Sequence, residues 1–351
     1  MNLKQFNPMK ILNHLDVAKA IVRRENPYPV SFEIDPSNTC NHECTWCMYE
    51  DFMKEKQVIV PKEIFKSVID EIIEIGIRSV TFTGGGEPLT HPLTIELMPY
   101  MRQRGVSIAL VTNGGLLDSE KDRIIVENCS YIRISIDAGC EVTHTKLHRN
   151  KNIDKDNYQK IIDNIRYMVE LKKKLKKDIT IGTGYLVHPQ NTQEIFAMVA
   201  KMKEIGANYV QIRPVCNLNQ EEKELVIRES RSQIEHSLKM IDDDFHVFPI
   251  LHRFNEIISM DRGYDICYGH ALVGIIGADC NVYLCCQLKG DKRYILGNLK
   301  ESSFKEIWNS QKRKDVIGSL DLSQCPPCRY NKYNEILDYL ADEEMLHSEF
   351  L

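Results

Sequence analysis

The sequence predicts an α/β protein: a partial (β/α)6 TIM-like barrel followed by a small α+β domain built on a β-hairpin and a cysteine knuckle. Three observations predict it. From Val30 onward, short β-branched runs alternate with helix-period segments, six times by about residue 216. The residues that carry chemistry fall just after the strand runs, where parallel α/β folds place their sites. From Cys267 the alternation stops, and a hairpin-like pair with a later Cys-x-x-Cys replaces it.

The strands are expected at Val30–Asp35, Ser79–Thr83, Ser107–Thr112, Tyr131–Ile136, Thr180–Val187 and Tyr209–Pro214. Between them, Pro61 opens and Gly76 closes a helix whose Ile64, Phe65, Val68, Ile72 and Ile75 share one face. Similar helices cover Pro92–Gln103, Asp154–Leu175 and Thr192–Ile205. The hairpin is read at Ala271–Gly277 and Val282–Cys286, with a helix over Phe304–Gln311. The chain then divides into an N-terminal helical extension (1–27), the barrel (28–217), a charged helical connector (218–262), the auxiliary domain (263–330) and a C-terminal helix (331–351).

Composition narrows the class. With 43% hydrophobic and 27% charged residues, the chain reads as an ordinary globular protein. A net charge of −5 offers no basic footprint for nucleic acid. No apolar run reaches membrane-spanning length, and Met1–Lys10 lacks the apolar core of a signal peptide, so a cytoplasmic location is expected. There, twelve cysteines point to metal where they cluster and to packing where they scatter.

Cys40, Cys44 and Cys47 form the first cluster, on the loop after the first strand. Three thiolates within eight residues can close on three irons of a cubane and leave the fourth iron open. A structural zinc would want a fourth protein ligand, and His42 inside the loop is the alternative donor. This spacing, with Trp46 just before the third cysteine, closely resembles the radical S-adenosylmethionine (SAM) superfamily. The resemblance implies that SAM chelates the open iron through its amino and carboxyl groups. One electron then cleaves SAM to methionine and a 5′-deoxyadenosyl radical, which takes a hydrogen atom from the substrate. Trp46 would line the adenine side of that pocket.

Later motifs extend the resemblance. The second strand ends in Gly84-Gly85-Gly86-Glu87-Pro88, where glycines permit close backbone approach and a carboxylate can accept from an ammonium. It is similar to the family's GGEP turn, which implies that Gly85, Gly86 and Glu87 bind the SAM amino group. Thr112-Asn113-Gly114 is another family-like turn. Ser135 and Asp137 alternate toward the lumen and resemble the family's ribose and carboxylate contacts. Arg149, fourteen residues past Ser135, is similar to the arginine that pairs with the SAM carboxylate. Gln211 and Arg213 on the sixth strand are expected as SAM or substrate contacts.

Cys267, Cys285, Cys325 and Cys328 form the second cluster, able to hold zinc or a 4Fe–4S cluster. Asn281-Val282-Tyr283-Leu284-Cys285, Leu296-Gly297-Asn298 and Trp308 resemble the twitch domain, the shortened form of the SPASM domain. That resemblance implies one auxiliary 4Fe–4S cluster, and two clusters in all. Two departures stand out: Cys280 holds a position where glycine is usual, and Cys286 doubles the candidate at Cys285. Cys129, Cys140 and Cys216 remain, of which Cys216 follows the sixth strand and is a candidate hydrogen-atom donor. His42, His91, His144, His148 and His188 lie near strand-end loops as candidate contacts.

The expected activity is radical SAM chemistry with an auxiliary cluster, oxidising a small polar molecule such as a sugar, cyclitol or nucleotide. Modification of a ribosomal peptide is the first alternative, and a non-catalytic electron carrier the second. A flavodoxin or ferredoxin is the expected reductant.

Overall fold

The structure, a computed structural model, describes residues 7–50, 57–151, 158–259 and 262–342. Seven strands run parallel in chain order: β1 (Ser31–Ile34), β2 (Ser79–Phe82), β3 (Ser107–Thr112), β4 (Tyr131–Ser135), β5 (Thr180–Val187), β6 (Tyr209–Pro214) and β7 (His246–Pro249). The helices between them cover the outer face. Phe32, Ile34, Phe82, Ile108, Leu110, Ile132, Ile134 and Ile212 point outward into that core, all fully buried. The alternate residues therefore face the lumen.

The sheet does not end at β1. β8 (Val273–Ile276) pairs with the outer edge of β1 in parallel register, and β9 (Asn281–Tyr283) and β10 (Ile295–Asn298) follow antiparallel. The order β10-β9-β8-β1-β2-β3-β4-β5-β6-β7 leaves the barrel open, with the auxiliary segment continuing its sheet. The close approach depends on Gly274, because a Cβ there would meet the Phe32 ring at 2.6 Å. Phe32 and Phe304 then pack edge to face at 4.6 Å, and Trp308 donates its Nε1–H to the Pro27 carbonyl at 2.9 Å.

The connector differs from the sequence reading. It is not wholly helical: after the helix Gln220–Leu238 it forms β7, a seventh parallel strand on β6. Four residues ending in a proline carry too little alternation to be read as a strand. The helix expected from Asp154 is described from Tyr158 to Leu175, and its first turn lies outside the described residues. The C-terminal helix covers Asn331–Ala341, and its expected continuation also lies outside them. Among the described residues, no helix is long and apolar enough to cross a membrane.

One buried carboxylate opposes the fold. Asp122, in the helix Ser119–Asn128, is fully buried and neither carboxylate oxygen has a hydrogen-bond partner. Burial raises its pKa from 3.8 to about 7. The folded state thus binds a proton that the unfolded chain releases, so stability falls as pH rises from 3.8 through about 7. Asp122→Asn is expected to add up to about 4 kcal/mol at about pH 8 and little at about pH 4. Urea unfolding at the two pH values checks this, and an equal effect at both would contradict it.

Candidate functional site

The loop after β1 is held from two sides. Glu43 donates its N–H to the carbonyls of His148 and Arg149 at 3.1 and 3.0 Å, and Thr45 donates to Leu147 at 3.0 Å. These carbonyls belong to the end of the helix Glu141–His148. On the other side Glu87 donates its N–H to Thr39 at 2.9 Å. Gly86 lies so close that a Cβ would meet the Thr39 carbonyl oxygen at 2.4 Å and the Asn38 carbonyl carbon at 2.5 Å. The glycine is therefore required by backbone contact with the cysteine loop.

Glu87 is 2% exposed and its carboxylate is turned inward. It accepts from Thr112 Oγ1 at 2.7 Å, Asn113 N at 2.8 Å and Leu89 N at 3.2 Å. Burial pushes its pKa up to about 6, against these three donors. The side chain expected to meet the SAM ammonium thus braces the β3 turn. Asn113 carries the connection onward, donating to Asn41 Oδ1 at 2.8 Å and lying 3.7 Å from the Cys40 sulfur. Gly85 donates its N–H to Asp35 at 2.8 Å, and Asp35 also pairs with the buried Lys289 of the auxiliary segment. The Lys289 ammonium lies 4.5 Å from the centre of the Tyr49 ring, two residues past Cys47.

The β4 residues diverge from expectation in one respect. Ser135 is partly buried on the lumen face, whereas Asp137 turns away at a left-handed φ of 54°. Its carboxylate accepts from Leu186 N at 2.5 Å and lies 3.2 Å from His148 Nε2. The other nitrogen of His148, Nδ1, is 3.4 Å from the Cys44 sulfur. Asp137, His148 and Cys44 thus form a buried chain beside the cysteine loop. Trp46, 8% exposed, packs on His148 and His188 with ring centroids 5.7 and 5.4 Å apart. Arg149 does not join the site: it is exposed and caps the helix at φ 44°, one residue beyond the buried His148. His144 stacks on His148 at 4.4 Å, while His91 bonds Val60 and Leu93 in the scaffold. The ligand atoms of His42, Cys44 and His148 lie within 4.8 Å of one another, so the loop could also offer a mixed metal site.

The auxiliary cysteines converge. Cys267, Cys325 and Cys328 are near enough to interact electrostatically, and Cys285 interacts with Cys328. Asn334 of the C-terminal helix fixes the Cys267 loop by accepting from Tyr268 N at 2.8 Å and Gly269 N at 2.7 Å. Cys286 is buried beside them, near enough to Cys285 and Cys328 to interact with both, and its sulfur lies 3.8 Å from the Arg329 guanidinium. Cys280 is fully buried in the hairpin turn at φ 68°, beside Asp279 and Lys300. That φ explains why glycine is usual at this position. Cys280→Gly is expected to stabilise the chain by about 1 kcal/mol and leave its iron content unchanged. Thermal unfolding with an iron assay checks it, and loss of about four irons would make Cys280 a ligand.

The donor set fits iron–sulfur clusters. The sulfurs of Cys40, Cys47, Cys267, Cys285 and Cys328 each receive a backbone N–H from the residue two positions later. Such N–H donors favour the thiolate. Burial alone works the other way, pushing Cys40 up to about 12 and Cys47 up to about 11. A coordinated cation reverses that preference.

Residues 34–202 match the Radical SAM superfamily, and residues 267–330 match SPASM, an iron-sulfur cluster-binding domain. The chain is a radical SAM enzyme with a SPASM domain. This radical SAM enzyme is 24% identical over 337 residues to the AdoMet-dependent heme synthase of Methanosarcina barkeri, covering 87% of this chain and 92% of that one. It is 22% identical over 286 residues to the antilisterial bacteriocin subtilosin biosynthesis protein AlbA of Bacillus subtilis, covering 82% of this chain and 61% of the relative. Among solved structures, native anSMEcpe with bound AdoMet superposes with a TM-score of 0.60 at 19% identity over 83% of each chain. Streptococcus suis SuiB bound to S-adenosylmethionine gives 0.65 at 15% identity, over 93% of this chain and 77% of that one. These likenesses establish the fold. The radical SAM domain binds SAM and a 4Fe–4S cluster, and the SPASM domain binds auxiliary iron–sulfur chemistry.

Cys216 lies past β6, partly buried, and its sulfur receives Arg253 Nη2–H at 2.9 Å. Arg213 faces the lumen from β6 beside Arg133, Arg253 and Arg329. The sequence reading missed these three arginines and His148's role. Arg133 was accessible to it, since it stands two residues before Ser135 on the same alternating face.

Proposed function

We propose that this enzyme abstracts a hydrogen atom from a small polar molecule and oxidises it by two electrons. When bound, SAM and the clusters supply the 5′-deoxyadenosyl radical and a path for the second electron. Cys40, Cys44 and Cys47 hold the cluster that leaves one iron open to SAM, and Cys267, Cys285, Cys325 and Cys328 hold a single auxiliary one. Glu87, Thr112 and Asn113 keep the Cys40 loop in place, and Asp137 holds His148 against Cys44. The observation that carries the reading is this pair of separate thiolate sets, one at the carboxyl end of β1 and one converging on Cys328.

A lumen cavity of about 550 Å³ supports a compact substrate. Peptide modification is the second reading, supported by the similarity to AlbA and to SuiB solved with its precursor peptide SuiA. A flavodoxin or ferredoxin supplies the electron in either reading. The test is anaerobic incubation of reconstituted enzyme with SAM and dithionite. Formation of 5′-deoxyadenosine is expected, and its absence from fully loaded enzyme would sink the proposal.

A further inference from the structure

The lumen is short of negative charge. Its cavity runs along the inner face from Ser31 and Tyr209, at the amino ends of their strands, to Arg213 near the carboxyl end of β6. No residue of the Cys40–Cys47 loop, the Gly84–Glu87 turn or the Thr112–Asn113 turn lines it. Four guanidinium groups do, and their partners can be assigned one by one. Arg329 pairs with Glu33 at 2.6 Å, and Arg253 approaches Glu256 at 3.7 Å. Arg133 donates to Gln211 Oε1 at 2.9 Å, a neutral acceptor, and its Nε is buried without a partner. Arg213 has no hydrogen bond or ion pair among the described residues, and its charged neighbours are chiefly the other three arginines. Asp137, the remaining carboxylate near it, is already bonded to Leu186 and His148.

A guanidinium does not shed its proton to relieve such crowding, and Arg133 and Arg213, both partly buried, are left with charge that no protein carboxylate offsets. Two arginines without counter-charges, in a cavity the size of a small metabolite, form a receptor for an oxyanion. From the geometry we infer that the substrate is an anion, carrying a phosphate or paired carboxylates of about two negative charges, and that Arg133 and Arg213 hold that end. This names the substrate class of the proposed radical SAM reaction and rests on that reading. The anionic end sits in the lumen, and the remainder of the molecule extends toward the carboxyl ends of the strands, where the cysteine loop lies. A SAM carboxylate carries one charge, so at least one of the two arginines remains for the substrate when SAM is bound.

The test uses reconstituted, SAM-loaded enzyme and three probes in equilibrium dialysis: inorganic pyrophosphate, citrate and the neutral polyol inositol. Saturable binding of at least one anion is expected, at least tenfold tighter than inositol and weakening as salt rises. Arg133→Met and Arg213→Met should each weaken it at least tenfold, while Arg213→Lys, which keeps the charge, retains most of it. Anions binding no better than inositol, or binding unchanged in both methionine variants, would overturn the inference. Wild-type deoxyadenosine formation is read on the same samples. Its presence without anion binding overturns the anion site alone, and its absence overturns the radical reading instead.

Discussion

Replacing Cys40, Cys44 and Cys47 together by alanine is expected to abolish SAM cleavage and remove about four of about eight irons per chain. The size of the effect follows from how the loop is built. Its three thiols come from one segment whose backbone is fixed by Leu147, His148 and Arg149 on one side and Glu87 on the other. Two of the remaining cysteines are engaged elsewhere: Cys129 is buried against Met98, and Cys140 bonds Thr143 and Glu194. The fold should survive, because β1 through β7 are held by outward-facing apolar residues that do not depend on the loop. Iron analysis and a deoxyadenosine assay read both effects. Retained cleavage with four irons lost would place the SAM-binding cluster elsewhere.

Replacing Cys325 and Cys328 by alanine should remove the other four irons, approximately, and stop substrate turnover. SAM cleavage without substrate conversion should continue, since the SAM-binding cluster takes its three thiols from the Cys40–Cys47 loop and none from this pair. The auxiliary segment has anchors besides its metal: β8 on β1, Phe304 on Phe32, and Trp308 on the Pro27 carbonyl. These argue against wholesale unfolding, so a loss of both activities together with intact circular dichroism would show that the auxiliary cluster also serves SAM cleavage. Full turnover with half the iron would remove the auxiliary cluster from the mechanism.

Much of the barrel was legible because its strands combine β-branched composition with alternation. The bounds of β3, β5 and β6 coincide with the sequence reading, and β1, β2 and β4 differ by a residue or two at their ends. What local pattern could not carry was pairing across the chain. Ser31 lies beside Val273 in one sheet, and no periodicity near either residue announces it. The same limit applies to the site. Cysteine spacing pointed to both clusters, yet Arg149 was inferred by counting from Ser135, and the helix ends so that His148 is buried and Arg149 exposed. Glu87 was read from its turn, but its acceptors are filled by β3 residues that only the folded sheet brings near. Arg253 and Arg329 reach the lumen from segments far from β4 and β6, so the charge imbalance there exists only in three dimensions.

The most direct measurement of the central claim is iron and acid-labile sulfide per chain on anaerobically reconstituted protein, with deoxyadenosine assayed on the same sample. About eight of each, with deoxyadenosine formed, is the predicted result for one SAM-binding cluster and one auxiliary cluster. About four of each beside one zinc would contradict it, by leaving the convergent Cys267, Cys285, Cys325 and Cys328 without an electron-accepting cluster.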